Sequence, residues 1–323
     1  MGLVKYIARR LIILIPELWI ITIIVFTLIQ LSPGTFLDQY RLDPSISRET
    51  LQAMEKQLGL DKPAVVQYFY WLGKLVRLDF GYSFYYRRPV VDLIGERLLG
   101  TFVLSLYSFV ISWIVGVVLG IVSALKKYTA TDKILTVIAF SGLALPGFFL
   151  ALVLLYMAAR TGWFPIGGLY SPETAKMDVW SAFKDIFWRL QLPAFTLTFG
   201  SFAGLMRYQR GSLLDVMNED YVEFARAKGM PERVVIYRHA LRNAINPLIT
   251  IFGSSLADLL SGAVITETIF SWPGLGRLTY QALLQKDYYV VMASTVISTV
   301  LLVIGNLIGD ILLAAVDPRI RYE

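Results

Sequence analysis

Three carboxylates interrupt otherwise apolar stretches of the sequence, at Glu17, Asp258 and Asp310. A charge near the middle of a membrane helix costs about 2.5–3.5 kcal/mol or more, so each of these groups needs a polar partner or water. Ser255 and Gly262 share a helical face with Asp258, and this face is too polar to meet lipid. It predicts either a structural hydrogen bond between helices or a polar element of a path across the bilayer. Glu17 and Asp310 are interpreted as structural.

A second group of residues combines aromatic rings and charge at helical spacing. Tyr221, Phe224, Ala225 and Lys228 follow one another at i, i+3, i+4 and i+7, so we expect them to share one face of a helix. A helix this short is marginal in water unless it packs against something. Either it lies back on its own chain or on anionic headgroups, or it inserts into a groove on a partner protein. The pattern by itself favours neither.

The ends of this short helix are marked in the sequence. Asn218 is a good N-cap, and Gly229 stands where a C-cap glycine is expected. Pro231 suits the first turn of a following helix. The segment 207–243 is therefore predicted to contain two short helices that meet at a glycine bend.

Several kinds of catalytic and cofactor chemistry are excluded by the residues that are missing. The chain has no cysteine and one histidine, His239, so thiolate catalysis, disulfides and Cys/His metal clusters are ruled out. It has no GxxxxGK[ST] phosphate loop and no G-x-S-x-G elbow, and Gly274-Leu275-Gly276 fails GxGxxG because Thr279 occupies the third glycine position. We expect no catalytic, metal or cofactor site here, and any energy from ATP would enter through another polypeptide.

The composition places these residues in a membrane protein. Of 323 residues, 56% are hydrophobic and 17% are charged, and the mean hydropathy is +0.60, whereas a soluble domain has about 25% charged residues. The apolar residues gather in blocks that suit a hydrocarbon core ~30 Å thick. Backbone groups in lipid must be satisfied internally, so each block is predicted to be one helix. The six predicted spans are residues 11–31, 101–125, 134–159, 190–206, 244–266 and 288–316.

The distribution of Lys and Arg over the loops predicts the orientation. With the N-terminus inside, the inner segments carry 15 of these residues and the short outer loops carry 6, and cytoplasmic loops are normally the richer ones. Both termini are therefore expected in the cytoplasm, with the segment 207–243 inside and the long loop 32–100 outside. The net charge of +6 reflects this bias rather than a nucleic-acid surface.

The long loop itself contains helical signals. Ser47 to Leu58 is predicted as a helix that Gly59 ends, and a second helix is expected to open at Pro63 and run through Trp71. The loop is either a small cap packed on the spans or a surface on which an extracytoplasmic receptor docks, and the two interpretations are compatible.

Residues Glu223 to Gly229 (Glu-Phe-Ala-Arg-Ala-Lys-Gly) resemble the EAA loop of binding-protein-dependent ABC importer permeases. In that loop Glu-Ala-Ala is followed after three residues by Gly, and Phe224 here replaces the middle alanine. The family's later Ile-x-Leu-Pro reads His239 to Arg242, and a proline occurs instead at Pro247. This variant, from Arg238 to Ala244, is similar to the peptide and nickel subgroup.

Three further stretches resemble the same subgroup: Gly59 to Pro63, Glu267 to Gly276, and Asp317 to Tyr322. The resemblance runs from the first span to the last few residues. On this basis the chain is identified as a member of that family, similar to the first of the two transmembrane subunits of a dipeptide or oligopeptide importer.

The resemblance implies an all-α integral membrane protein of the type I ABC importer permease kind. It implies six transmembrane helices, a long extracytoplasmic loop after helix 1 and a cytoplasmic coupling (EAA) helix between helices 4 and 5. Residues 1–31 would hold the N-terminus and first span, 32–100 the outer loop, and 101–323 the permease core with the coupling loop 207–243. The implied ATPase-coupling residues are Tyr221, Glu223, Phe224, Ala225, Arg226, Ala227, Lys228 and Gly229.

The resemblance also implies partners and a location. A second homologous permease would complete a heterodimer, two cytoplasmic ATPase subunits would bind ATP and Mg, and an extracytoplasmic binding protein would deliver substrate. The assembly would lie in a bacterial or archaeal cytoplasmic membrane, in contact with lipid and without nucleic acid. The candidate translocation path is Ser255, Asp258 and Gly262.

Other functions remain open at this point. The same architecture could import nickel, glutathione or oligosaccharides. A stand-alone, ion-driven secondary transporter is a remote alternative. So is an intramembrane enzyme, which would need a catalytic pair, whereas Glu17, Asp258 and Asp310 lie on different spans at different depths.

Overall fold

The computed structural model describes residues 3–34, 37–41, 47–59, 61–171, 177–249, 251–252, 255 and 263–316. These residues are mainly helical, which confirms the all-α prediction, with one hairpin of two very short strands. In chain order the elements are α1 (Leu3–Leu31), α2 (Asp38–Arg41), α3 (Arg48–Leu58), α4 (Ala64–Val76), β1 (Tyr82–Ser83), β2 (Arg88–Pro89), α5 (Val90–Leu125), α6 (Ala130–Ala144), α7 (Gly147–Thr161), α8 (Val179–Met217), α9 (Asp220–Ala227), α10 (Glu232–Val234), a π-helix (Val235–Ala240), α11 (Leu241–Ala244), α12 (Val264–Ile269), α13 (Leu275–Leu284) and α14 (Tyr288–Val316).

Within the described ranges, three helical stretches are long and apolar enough to cross a membrane: Ala8–Leu31, Val90–Leu125 and Tyr288–Ile311. They overlap the predicted first, second and sixth spans, although the second helix begins at Val90, eleven residues before the predicted 101–125. The pair α6 and α7 qualifies together, which makes four if that pair is one span. The fourth predicted span lies within the longer α8, which does not meet this test, and most of the fifth, 244–266, lies outside the described residues.

The third predicted span, 134–159, is not one helix. It is divided into α6 and α7, which meet at an angle of 103°. Leu145 adopts an extended conformation (φ −79°, ψ 121°) and Pro146 becomes the N-cap of α7. Proline has no N–H to donate and disfavours the helical region for the residue before it, so the helix stops here. The prediction of a continuous helix was wrong because it was based on the length of the apolar stretch and did not take Pro146 into account.

The central pair of helices is α5 and α8, which pack closely. Gly116 and Gly120, one turn apart on α5, face α8. A Cβ added at Gly116 would lie 2.7 Å from the Leu205 Cβ, and one at Gly120 would lie 2.8 Å from the Gln209 Cβ. The two glycines therefore let the backbones approach, as small residues do between membrane helices.

Helix α8 is longer than its apolar part. Its 39 residues correspond to about 58 Å at 1.5 Å per residue, nearly twice the thickness of a hydrocarbon core. Pro193 lies inside α8 without ending it. One rigid element therefore joins the membrane region to the segment that follows Met217.

The described part of the segment 32–100 packs on the spans, in line with the cap interpretation, and its last residues, from Val90, already belong to α5. Ser47 is the N-cap of α3, where its Oγ accepts from the Thr50 N–H at 3.1 Å, and Gly59 ends that helix with φ +68°. In α4, Tyr68 and Trp71 are buried in an apolar core shared with the ends of α1 and α14.

The hairpin of β1 and β2 is fastened to the start of α14. Asp287, which precedes that helix and is fully buried, accepts a hydrogen bond from the Ser83 Oγ at 2.5 Å and another from the Tyr85 N–H at 3.2 Å. The Ser83 Oγ in turn accepts from the Tyr86 N–H at 2.9 Å. This carboxylate thus fastens the hairpin to α14, in addition to the apolar contacts of α4.

Candidate functional site

The predicted amphipathic segment follows α8 directly. Glu219 is the N-cap of α9, with an extended backbone (φ −75°, ψ 143°). Asn218, which the sequence predicted as the N-cap, ends α8 instead, and its N–H donates to the Asp215 carbonyl at 3.1 Å. The prediction missed by one residue because α8 continues beyond its apolar part, so two residues connect the helices.

Gly229 ends α9 as predicted. Its φ is +78°, its N–H donates to the Arg226 carbonyl at 2.9 Å, and the next N–H, of Met230, donates to the Ala225 carbonyl at 3.4 Å. These two bonds are those of a Schellman motif, which requires a left-handed residue at this position. The predicted glycine bend between two short helices is therefore present.

The two faces of α9 have different environments. Val222 and Ala225 are buried against Leu213 of α8 and Val235 of the π-helix. Phe224, in contrast, is 61% exposed. The sequence grouped Ala225 with Phe224 on one face, but Ala225 also lies one turn after Val222 and is buried with it.

Arg226 connects the two sides of the bend. Its guanidinium forms an ion pair with Glu232 of α10, with Nη2 and Oε1 3.0 Å apart, and its Nη1 also donates to the Met217 carbonyl at 3.4 Å. The side chain therefore connects the end of α8, α9 and α10, which fixes the angle between the short helices.

The outward residues of α9 form a small amphipathic surface. The Lys228 Nζ lies 4.6 Å from the Phe224 ring centroid. Tyr221 also makes a contact within the chain, since its hydroxyl accepts a hydrogen bond from the Asn243 Nδ2 at 2.7 Å. Glu223 and Ala227 are exposed. This surface presents an aromatic ring, a cation and a carboxylate.

The helix after the bend contains a feature that the sequence did not indicate. Val235–Ala240 is a π-helix, in which Val235 and Ala240 are buried and Tyr237 is 61% exposed. Such segments occur frequently at functional sites. It follows the short helix α10 and packs on the same core as α9.

A cavity of about 550 Å³ is lined by α5, by α8 and by Ile251, Ser255 and Ala263 of the fifth predicted span. Ser255 lines it, as do three serines of α5. Asp258 and Gly262, the other two residues of the predicted polar face, lie outside the described residues. The described lining has no charged side chain; it consists of Ser105, Ser108, Phe109, Ser112, Trp113, Leu197, Ser201, Gly204, Leu205, Tyr208, Ile251, Ser255 and Ala263.

The serines of α5 were missed by the sequence reasoning, although Ser105, Ser108 and Ser112 recur at i, i+3 and i+7. The Ser108 Oγ donates to the Leu104 carbonyl at 2.8 Å, and the Ser112 Oγ donates to the Ser108 carbonyl at 2.7 Å. Each hydroxyl hydrogen is thus used within the helix, so these two oxygens remain available as acceptors.

A buried ion pair, also missed from the sequence, connects α6 to α8. Asp132 accepts two hydrogen bonds from Arg210, from Nε at 2.8 Å and from Nη2 at 2.9 Å. The Ser123 Oγ donates to the same carboxylate at 2.5 Å, and the Tyr128 N–H does so at 2.9 Å. The carboxylate therefore holds the turn between α5 and α6 against the C-terminal part of α8.

The remaining intramembrane carboxylates behave differently from each other. Asp310 of α14 forms an ion pair with Arg10 of α1, with Nη2 and Oδ2 3.1 Å apart, which supports its structural interpretation. Glu17 is exposed on α1. These two groups lie away from the serine cavity, whose lining does not include them.

The motif from Glu267 to Gly276 takes part in a network of hydrogen bonds that connects neighbouring helices. The fully buried Glu267 accepts from the Thr101 Oγ1 at 2.7 Å and from the Arg277 N–H at 2.9 Å. Thr101 accepts in turn from the Leu275 N–H at 2.7 Å, and the Trp272 Nε1 donates to the Gly100 carbonyl at 2.8 Å. The motif thereby joins α5 to α12 and caps the start of α13.

Comparison with known proteins places the whole chain among transport proteins. Residues 116–322 match the family described as "Binding-protein-dependent transport system inner membrane component". Residues 3–105 match a family described as the N-terminal part of a binding-protein-dependent transport system membrane component.

Two relatives match over almost their full length. The oligopeptide transport system permease protein AppB of Bacillus subtilis is 43% identical over 319 residues, which cover 98% of this chain and 99% of the relative. The glutathione transport system permease protein GsiC of Escherichia coli is 35% identical over 324 residues, covering 99% and 100% of the two chains.

A solved structure has a similar fold. A chain of the MetNI methionine ABC transporter in an inward-facing conformation aligns with a TM-score of 0.56 at 16% identity, covering 70% of this chain and 97% of its own. At this identity the likeness concerns the fold alone.

Proposed function

The chain belongs to the family of binding-protein-dependent transport system inner membrane components, and from this premise we propose that it carries peptides across the membrane. It is a multi-pass membrane protein and a permease of an ABC importer of the dipeptide and oligopeptide class. The proposal concerns its substrate, its partners in detail, its orientation and its coupling residues. The relative at 43% identity supports an oligopeptide substrate, and the one at 35% identity supports glutathione as the second candidate.

One observation carries the mechanism: helix α8 both lines the serine cavity and bears α9 at its end. Leu197, Ser201, Leu205 and Tyr208 of α8 face the cavity, and α8 continues to Met217, two residues before the N-terminus of α9. Since a helix transmits displacement along its length, movement of α9 would shift the cavity wall.

The α9 segment is packed firmly enough to pass such a movement on to α8. Its inner face is packed through Val222 and Ala225, and the bend is braced by Arg226 and Glu232. We assign contact with an ATPase subunit to the outward residues, chiefly Phe224 with Glu223 and Lys228. Ala225, Arg226 and Gly229 would act by holding this surface rigid.

The chain is proposed to supply the path while other subunits supply the energy. Two cytoplasmic ATPase subunits would bind ATP and Mg, a second homologous permease would form the other half of the path, and an extracytoplasmic protein would deliver the peptide. This chain would bind no cofactor and catalyse no reaction. Alternating closure of the ATPases would rock the two permeases against each other.

The serine cavity suits a peptide backbone. The acceptor oxygens of Ser108 and Ser112 can receive amide N–H groups, while Phe109 and Trp113 offer apolar walls. Because the described lining is uncharged, it would not select strongly for charged side chains. Ser255 belongs to this proposed path, and Asp258 and Gly262 are proposed to continue it.

The experiment is reconstitution in proteoliposomes with a labelled dipeptide, a labelled oligopeptide and labelled glutathione. The purified chain with only an ion gradient should transport nothing. Addition of the second permease, the ATPases and the binding protein should give uptake that depends on ATP. Uptake by the chain alone would instead identify a secondary transporter, and a preference for glutathione would select the second candidate.

A further inference from the structure

A second cavity, of about 210 Å³, lies where α1 ends and α14 begins. Its inner wall is apolar and aromatic: Ile29 comes from α1, Trp71 from α4 and Met292 from α14. All three of these side chains are at least nine-tenths buried. The cavity belongs to a different part of the molecule from the serine cavity, with which it shares no lining residue.

Two lysines, Lys56 and Lys62, lie at this cavity. Its described lining contains no aspartate or glutamate. Within the described ranges, no carboxylate lies within 4 Å of either ammonium group. The Lys62 Nζ instead lies 5.6 Å from the ring centroid of Tyr70. The site is therefore positively charged beside an apolar wall.

The position of the cavity along the spans fixes the surroundings it meets. The apolar stretch of α1 runs from Ala8 to Leu31, so Ile29 lies within one turn of its end. Tyr288 and Tyr289, which also line the cavity, are the first residues of α14. Aromatic residues at span ends lie at the level of the lipid headgroups. The cavity therefore opens at the boundary between headgroups and acyl chains.

We propose that this cavity binds one anionic phospholipid. Its phosphate-bearing headgroup would lie against Lys56 and Lys62, and the upper part of an acyl chain would lie against Ile29, Trp71 and Met292. A free phosphate would leave the apolar wall without a partner, and a wholly apolar ligand would leave the lysines unpaired. Basic residues near a membrane surface attract anionic lipids in this way. The inference does not depend on the transported substrate.

The test is native mass spectrometry of the purified full chain in detergent, titrated with phosphatidylglycerol or phosphatidylcholine. The wild type should retain one phosphatidylglycerol more tightly than phosphatidylcholine. In the double variant Lys56→Gln, Lys62→Gln the dissociation constant for that lipid should rise roughly 30-fold, since each lysine contributes a factor of about five. The matched control is Arg160→Gln with Lys184→Gln, which removes two charges from elsewhere on the chain and should leave the affinity unchanged.

A second variant tests the apolar wall while keeping both lysines. Ile29→Trp should fill the cavity and also weaken phosphatidylglycerol binding, in protein that elutes as the wild type does. Glycerol phosphate should not displace the lipid. Equal affinity for the two lipids, an unchanged affinity in the double lysine variant or in Ile29→Trp, or displacement by glycerol phosphate would each overturn the proposal.

Discussion

Gly229 shows how one backbone angle sets the geometry of the proposed coupling surface. With φ at +78° it adopts a conformation that L side chains rarely take, although no heavy atom lies within 4 Å of where its Cβ would stand. The glycine is therefore required for its conformation and not for space. A β-branched residue costs about 1–2 kcal/mol there, or shifts the backbone to another region and rotates α10 relative to α9.

Gly229→Val should reduce ATP-dependent peptide uptake at least tenfold, because the Phe224 surface would no longer be held at its angle, while the chain still inserts into the membrane. Gly162→Val is the matched control, since Gly162 also has a positive φ, +68°, and open space around its Cβ position. Uptake and membrane content are measured in the reconstituted assembly. Normal transport by Gly229→Val, or an equal loss in both variants, would contradict the coupling assignment.

At the scale of elements, α8 is fixed to its neighbours by contacts of different kinds. Glycines bring it close to α5, the Asp132–Arg210 pair holds it to α6, and the apolar core around Leu213 holds it to α9 and the π-helix. On α8 these contacts involve residues from Leu205 to Leu213. Because these contacts share one continuous helix, we expect a displacement of α9 to reach α6 as well as the serine cavity.

Asp132→Asn should destabilise the chain by about 2 kcal/mol, because it leaves Arg210 without its carboxylate in a largely buried position. The Asp132 side chain is 5% exposed and that of Arg210 is 27% exposed, which reduces the cost below that of a fully buried pair. Thermal unfolding in detergent measures the change. Glu96→Gln, which removes an exposed pair with Arg88, should change the unfolding temperature little. Equal changes of the unfolding temperature in both variants would contradict the assignment of Asp132–Arg210 as a stabilising ion pair.

The attachment of the hairpin to α14 should depend on pH through Asp287. Burial raises the pKa of this carboxyl above its ordinary value of 3.8, and hydrogen bonds from Ser83 and Tyr85 offset part of the rise. A raised pKa in the folded state favours the protonated form, so its contribution to stability is present below about pH 4 and is lost as the pH rises through the folded-state pKa. The nearby Tyr86 hydroxyl also has a raised pKa, chiefly from burial, and stays neutral in this range.

We therefore expect the wild type to lose unfolding free energy relative to Asp287→Asn as the pH increases from about 4 to 7. Thermal unfolding of both proteins in detergent across this range measures the difference. Asp61→Asn, at another position in the same cap, serves as the control and should follow the wild type. A difference between the wild type and Asp287→Asn that grows in the opposite direction would refute the assignment.

At the scale of the whole molecule, much of the apolar surface points outward. Helix α1 exposes Ile12 at 67%, Ile15 at 68% and Leu28 at 62%. Single exposed apolar residues are ordinary, but a helix apolar on its exposed face suits contact with lipid or with another membrane chain. Among the described residues, buried apolar clusters form between the helices, around Trp71 and Leu213 and also along the spans, around Leu104, Phe202 and Ala151.

The proposed orientation can be tested by labelling, because the chain contains no cysteine. Lys184→Cys, on a predicted outer segment, should react with a membrane-impermeant maleimide in intact cells. Lys228→Cys, at the end of α9, should react only after the membrane is permeabilised. The reverse pattern would place α9 outside and would remove the basis for coupling to cytoplasmic ATPases.

Local signals in the sequence predicted a large part of the fold. The predicted helix ends at Ser47, Gly59 and Gly229 are where the structure has them, because capping depends on one or two turns of chain. The span 288–316 coincides with α14. Pro146 was also visible, and its effect on the third span follows from its own geometry.

The candidate site was only partly predictable. Residues Tyr221 to Gly229 could be proposed from spacing and resemblance, but Ala225 fell on the inner face because the period of a helix does not reveal which of two overlapping faces the rest of the chain covers. The serines of α5 had visible spacing, yet only the position of α8 shows that a cavity faces them.

What the sequence determined by itself was the membrane class, the helical composition and those helix ends that carry a local cap, such as Ser47, Gly59 and Gly229, since these depend on composition and on contacts within a few residues. The tertiary structure decided which distant side chains meet. Asp132 and Arg210, Thr101 and Glu267, and Ser83 and Asp287 are pairs separated by 78, 166 and 204 residues. No local sequence pattern indicates these contacts. A buried carboxylate accepts hydrogen bonds from whichever donors the packing of the helices brings close to it.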